Sequence, residues 1–273
     1  MSVNDRLIAI RHVFLDMDGT LYQGDQVLPG TLGFLNFLEQ RGIGRTFLSN
    51  NSSYGKADYA AKLSKMGIAA TSADFYSSTD FCLDYLEKHF PAVKKVFVLG
   101  MPCLKAAFAE RNYQVVDDDP QLVIVGFDRE LVYERLCRAA YFLHCGVPGI
   151  ATHPDVFCPT DQPTWLVDCG AITACLEKTT AKTLTVLGKP DPGMLRCAAG
   201  KLGLAVSETL MVGDRLSTDI ALGKNAGALT CHLNARKTEF AKPGNPVPDL
   251  VFADLAGLYD HWSKLLTRNA GKN

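Results

Sequence analysis

The chain has 273 residues, 47% of them hydrophobic and 21% charged, enough to bury a sizeable core and to fill two ordinary domains. A net charge of −1 and a pI near 6.6 provide no global field for nucleic acid or an anionic membrane, so neither is expected as a partner. Nine cysteines without a C-x-x-C pair argue for buried reduced thiols rather than a disulfide or zinc framework, and six scattered histidines offer no His-rich metal site.

From Met1 to Arg11 the only apolar run is Leu7-Ile8-Ala9-Ile10, too short for a signal-peptide core, and no later run approaches a membrane span. A cytoplasmic location is the expectation. Val13-Phe14-Leu15 then forms an apolar run that stops at Asp16. Thr46-Phe47-Leu48 stops at Ser49-Asn50-Asn51, Leu184 to Leu187 at Gly188-Lys189, and Leu210-Met211-Val212 at Gly213-Asp214. Short continuous apolar runs suit strands buried on both faces of a parallel sheet. Helical patterns fill the gaps: Leu32 to Gln40, Ala57 to Met66 with Ser53 as a candidate cap, Met194 to Leu202, and Ile220 to Asn225. Glycines follow each of them, as at many helix C-termini.

This alternation predicts an α/β fold with a Rossmann-like, doubly wound parallel sheet. Asp16 and Ser49 are 33 residues apart, one strand-helix-strand step, whereas Ser49 and Lys189 are 140 apart. The excess holds its own α/β series: helix 80–89, strand 96–99, helix 103–111, strand 122–126, helix 130–145 and strand 149–152. Residues 80–179 therefore read as an α/β domain inserted into a core made of 1–79 and 180–273.

Ligands of open α/β sheets bind beyond the carboxyl ends of the strands, where all four polar clusters stand. Asp16-Met17-Asp18-Gly19-Thr20 delivers two carboxylates from a buried strand. One can act as a nucleophile and the other as acid and base, with Gly19 permitting close backbone approach; the same residues also make an ordinary surface turn. Ser49-Asn50-Asn51-Ser52-Ser53 offers hydroxyls, amides and backbone N–H groups to phosphate oxygens, or simply caps a helix. Lys189 brings a cation able to offset phosphoryl charge, although a lone lysine is commonly a solvated surface residue. Asp214 suits a hard divalent cation such as Mg²⁺; Asp219 reads as a further ligand, a supporting residue or a helix N-terminal acid.

In this order the clusters closely resemble the motif set of the haloacid dehalogenase (HAD) superfamily over nearly the whole chain. The resemblance implies Asp16 as nucleophile, Asp18 as general acid/base, Ser49 as phosphate-binding hydroxyl and Lys189 as the charge-balancing lysine. It implies a Mg²⁺ held by Asp16, Asp214 and the backbone carbonyl of Asp18, with Gly19 and Asn50 beside the phosphate. The insert is similar to a type-2 cap. Ser49-Asn50-Asn51-Ser52-Ser53, Val125-Gly126-Phe127-Asp128, Ala151-Thr152-His153-Pro154-Asp155 and Gly213-Asp214-Arg215-Leu216 look like the 4-nitrophenylphosphatase or NagD-type branch.

That branch implies hydrolysis of small phosphomonoesters such as sugar phosphates, phosphoglycolate, pyridoxal phosphate or nucleotides, and admits a homodimer through the cap. His153 departs from the asparagine usual there, and the stretch after Leu233 lacks the usual Thr-Gly loop. Asp128, Arg129, His153 and Asp155 are the candidate cap contacts to substrate. A dehalogenase of this fold would need neither Asp18 nor a metal. A phosphomutase, returning the phosphoryl group to substrate, and a non-catalytic phosphometabolite-binding protein are the competing readings.

Overall fold

A computed structural model describes residues 2–159, 163–233 and 244–270. The chain opens with α1 (Val3–Ile8), β1 (His12–Leu15), the antiparallel pair β2 (Tyr22–Gln23) and β3 (Gln26–Val27), α2 (Thr31–Gln40), β4 (Gly44–Ser49), α3 (Lys56–Lys65) and β5 (Phe75–Ser77). It continues with α4 (Ser78–His89), β6 (Lys95–Leu99), α5 (Pro102–Glu110), β7 (Gln114–Val115), β8 (Leu122–Val125), α6 (Tyr133–His144) and β9 (Gly149–Ala151). Next come β10 (Phe157–Pro159), β11 (Trp165–Val167), α7 (Cys169–Thr180) and β12 (Thr185–Val186). The last third holds α8 (Pro192–Lys201), β13 (Thr209–Gly213), a π-helical turn (Leu216–Ile220), α9 (Ala221–Ala226), β14 (Leu229–Leu233), β15 (Leu250–Phe252) and α10 (Leu255–Ala270). No described helix is long and apolar enough to cross a membrane.

The chain divides into two units, one of Met1–Leu48, Ala60–Phe75 and Lys189–Asn273, the other of Ser49–Tyr59 and Tyr76–Gly188. This division lies a few residues outside the expected 80–179 limits, because α4 already starts at Ser78 and β12 belongs to the second unit's sheet. It also gives that unit the segment after β4.

The first unit is built on a six-stranded sheet in the order β15-β14-β13-β1-β4-β5, parallel in each pairing from β15 to β4. Val13, Phe14 and Leu15 of β1 and Leu210, Met211 and Val212 of β13 have no exposed surface, as strands covered on both faces should. Trp262 of α10 is wholly buried, its ring 5.6 Å from Phe37 and 6.3 Å from Phe34 on α2. α8 starts where Asp191 accepts a hydrogen bond from Gly193 N and Pro192 takes the first turn.

The second unit carries a five-stranded sheet, β12-β9-β8-β6-β7, and the two-stranded pair β10-β11. Phe97, Leu99, Val123 and Val125 from its central strands pack with Phe142 and Leu143 of α6 and Ile172 and Leu176 of α7. Leu184 to Leu187 does not form a strand of the larger sheet, as its apolar run had suggested. Only Leu184 and Leu187 are buried, while Thr185 and Val186 form an exposed edge strand paired with β9. A run as short as Leu-Thr-Val-Leu reads alike whichever sheet recruits it.

Three further expectations change. Ser53 does not cap α3; its N–H and hydroxyl both donate to Asn51 Oδ1, and Gly55 N donates to Asp58 Oδ2 at the helix start. The nine free cysteines are not uniformly buried: Cys82, Cys169 and Cys231 are, whereas Cys137 on α6, Cys145 just after it and Cys175 on α7 are exposed. His153 is no surface contact. It is wholly buried, with Nδ1 2.9 Å from Thr152 Oγ1 and Nε2 3.0 Å from Asp168 Oδ1, the carboxylate that caps α7. An imidazole with both nitrogens engaged serves the scaffold.

His12, at the start of β1, is also buried, its Nε2 2.9 Å from Thr46 Oγ1 across the β1–β4 pair. Burial pushes its pKa from 6.5 down to about 4. The unfolded chain thus takes up this proton first as pH falls, and stability falls with it. The folded protein should lose up to about 3 kcal/mol between roughly pH 6.5 and 4 through this residue. Urea denaturation against pH, compared with a His12→Gln variant lacking that contribution, measures it.

Candidate active site

β1 runs between β13 and β4, and all three are parallel, so the residues that follow them leave the sheet along one edge. Asp16 continues the ladder by one bond, its N–H donating to Val212 O at 2.9 Å. Met17 turns into the core, Asp16 is half-buried, and Asp18 is exposed. The chain then curls back at once, with Gly19 N donating to Tyr22 O and Leu21 N to Met17 O.

Gly19 is required twice. Its φ is +89°, and a Cβ there would stand 2.3 Å from Asp214 Oδ2. The missing side chain is the space that the Asp214 carboxylate uses. Gly19 contributes this notch rather than a free amide, since its N–H is already engaged. A Cβ at Gly213 would likewise lie 2.3 Å from Cβ of Asp219 and 2.4 Å from its Oδ2. Gly19 thus lets the two acid clusters meet at contact distance, and Gly213 lets Asp219 fold back onto its own strand end.

Lys189 enters this group from the loop after β12. Its Nζ donates to Asp16 Oδ1 at 2.6 Å, to Asp219 Oδ1 at 2.7 Å and to Leu48 O at 3.4 Å. The lysine side chain is 4% exposed and that of Asp219 1%, whereas that of Asp16 keeps 15%. Of the three charged partners, Asp16 is the one still open to a ligand. Burial opposes the lysine's charge, but Asp16 and then Asp219 overcome it and hold the proton on Lys189 more firmly than usual. Burial, and next the negative charge of Asp219, raise the proton affinity of Asp16; Lys189 and Arg215 work against that rise.

Asp214 completes the cluster. One ligand oxygen each from Asp16, Asp214 and Asp219 lies within 4.8 Å of the others. Opposite oxygens around an octahedral Mg²⁺-sized ion are roughly 4.1 Å apart, so hard carboxylate donors at this spacing suit a small divalent cation, with Asp16 and Asp214 as its ligands because both oxygens of Asp219 already accept hydrogen bonds. Asp18's carboxylate is outside this triad. Asp219 lies in the π-helical turn, where its Oδ2 also accepts from Arg215 N at 3.1 Å. It is thus the lysine's second anchor, a role the sequence had left open among three.

Ser49 closes β4, and its Oγ accepts from Asn51 N at 3.2 Å. Asn50 is buried; its Nδ2 donates to Asp155 Oδ2 at 3.2 Å, and its carbonyl accepts from Ser78 Oγ. Asn50 and Asp155 therefore hold each other. Among the other candidate contacts, Asp128 is buried and accepts from Glu130 N, while exposed Arg129 donates to Tyr54 OH at 2.6 Å. The stretch 234–243, where the Thr-Gly loop was noted as missing, lies outside the described residues. Sequence reasoning passed over His232, whose Nε2 lies 2.9 Å from Asp214 O. The available signal was a lone imidazole in the short, mostly apolar run Leu229 to Leu233.

Comparison with known proteins identifies the family. Residues 13–114 match the family model of haloacid dehalogenase-like hydrolases, and residues 186–258 match a second one, of HAD-hydrolase-like proteins. An acid sugar phosphatase of Staphylococcus aureus is 32% identical over 244 residues, covering 88% of this chain and 93% of that protein. The crystal structure of 4-nitrophenylphosphatase from Thermotoga maritima superposes with a TM-score of 0.86 at 36% identity, covering 93% of this chain and 98% of that one. NagD of Escherichia coli K-12 gives 0.82 at 29% identity, covering 90% and 97%. With its parallel α/β sheets and strand-end acids, the chain belongs to the haloacid dehalogenase-like hydrolases, in the branch of HAD-type phosphatases that includes NagD and the 4-nitrophenylphosphatases.

Proposed function

We propose that the protein is a Mg²⁺-dependent phosphatase that hydrolyses small phosphomonoesters through an aspartyl-phosphate on Asp16. The observation that carries the proposal is the buried Lys189 Nζ bridging Asp16 and Asp219 while Asp16 alone of the three stays partly open. A carboxylate held in place by a lysine, with one face accessible, is arranged for in-line attack. The named relatives, an acid sugar phosphatase and a 4-nitrophenylphosphatase, favour sugar and aryl monophosphates as the substrate class.

In the first step an Asp16 carboxylate oxygen bonds to phosphorus as the ester P–O bond breaks, and Asp18 gives its proton to the departing alkoxide. In the second, Asp18 takes a proton from water, whose oxygen attacks phosphorus and releases inorganic phosphate from Asp16. Asp18 is exposed and two residues beyond the nucleophile, in keeping with proton exchange at the ester and at water. Lys189 balances charge on the transferring group, and Ser49 holds its oxygens. Asp16, Asp214 and the Asp18 carbonyl would hold the Mg²⁺, which supplies Lewis-acid charge to the phosphoryl oxygens when bound. Residues 80–179 act as the cap that selects the leaving group.

Three outcomes test this. Asp16→Asn should remove turnover of 4-nitrophenyl phosphate by at least about 10³-fold while circular dichroism stays that of the parent. Retained activity would exclude Asp16 as nucleophile. Labelled phosphate from a sugar monophosphate should appear as free inorganic phosphate, whereas an isomeric sugar phosphate would indicate a mutase. Gly19→Ala places a methyl where Asp214 sits, and turnover should fall about 100-fold or more even in excess Mg²⁺; a steady-state assay across a metal titration reads it.

A further inference from the structure

The geometry points to His232 as a positioning residue that sets the direction of Asp214 and thereby the affinity of the site for its divalent cation. This inference rests on the metal-dependent reading given above and adds a residue to it.

His232 is paired with Gly213 in the parallel register of β13 and β14. Gly213 is the last residue of its strand, so the carbonyl of Asp214 lies just past the ladder. His232 meets it there. Its Nε2 is 2.9 Å from Asp214 O, and since a carbonyl can only accept, that nitrogen carries the hydrogen. The imidazole is 7% exposed, so this contact has little competition from water.

The other half of the same peptide group is also held. Arg215 N, which shares the peptide plane with Asp214 O, donates to Asp219 Oδ2 at 3.1 Å. In a planar trans peptide the C=O and N–H point in opposite directions. His232 on one side and Asp219 on the other therefore clamp the Asp214–Arg215 plane against rotation. Rotating that plane would swing the Asp214 side chain, whose Oδ2 must settle in the notch left by Gly19. Asp219 is fixed in turn by Lys189 Nζ at 2.7 Å. One arm of the clamp thus runs to the lysine triad, and His232 is the other.

A merely packed histidine would affect stability and leave metal affinity alone. The two roles separate in calorimetric Mg²⁺ titrations of wild type, His232→Leu, His232→Gln and His232→Asn. A glutamine amide nitrogen reaches about as far as Nε2, whereas that of asparagine stops short. His232→Leu and His232→Asn should weaken Mg²⁺ binding by about 10-fold or more, with His232→Gln within about 3-fold of wild type, as expected for groups that orient metal ligands. The KM for 4-nitrophenyl phosphate at saturating Mg²⁺ should stay within about 3-fold for all variants that bind.

Wild-type affinity in His232→Leu would overturn the inference. If the leucine variant fails to fold, equal affinities for the glutamine and asparagine variants would overturn it as well. A wild-type protein that binds no Mg²⁺ would remove the metal-dependent reading itself, and the inference with it.

Discussion

The site is organised by one buried cation. Lys189 Nζ has acceptors at Asp16, Asp219 and Leu48 O for its three N–H groups, in a setting where the side chain retains 4% of its exposure. Taking an ammonium group out of water costs several kcal/mol, which here is offset by two carboxylates at hydrogen-bond distance. Loss of the lysine would leave two carboxylates facing each other without a cation, a change typically worth about 3–5 kcal/mol. The two bonds that fix the lysine also fix the nucleophile and the acid of the π-helical turn. Structural and chemical demands meet at a single side chain.

The sheet order makes this contact reachable. β1 has β13 on one side and β4 on the other, so the chain ends at Asp16 and Asp214 lie next to each other at one edge although their positions are 198 residues apart. Glycine then allows the acids to close ranks. Gly19 gives way to Asp214, and Gly213 to Asp219. Packing therefore limits these positions as strictly as chemistry does, and the two cannot be varied separately.

Much of this was legible in the chain. An apolar run that breaks into acids, such as Val13-Phe14-Leu15 before Asp16, combines a hydrophobic signal with a polar one, and both survive in the fold. What escaped was whatever depends on partners far away. Leu184 to Leu187 could have joined either sheet, because only the pairing with β9 decides it. His153 carried the residue type of a ligand contact, yet the buried Asp168 and Thr152 claim both of its nitrogens. His232 sits inside a buried strand, and its value comes from a carbonyl just past the end of the neighbouring one.

The central place of β1 has a consequence for biosynthesis. One of its neighbours, β4, leaves the ribosome soon after it, but β13 begins only at Thr209, most of the chain later. At roughly 5–20 residues per second, about 10–40 s separate the appearance of the two strands. Throughout that interval β1 presents an open hydrogen-bonding edge carrying the apolar Val13, Phe14 and Leu15 to the cell, a template for wrong pairing. The nascent protein thus depends on shielding by a chaperone or by its own early helices until its C-terminal third arrives.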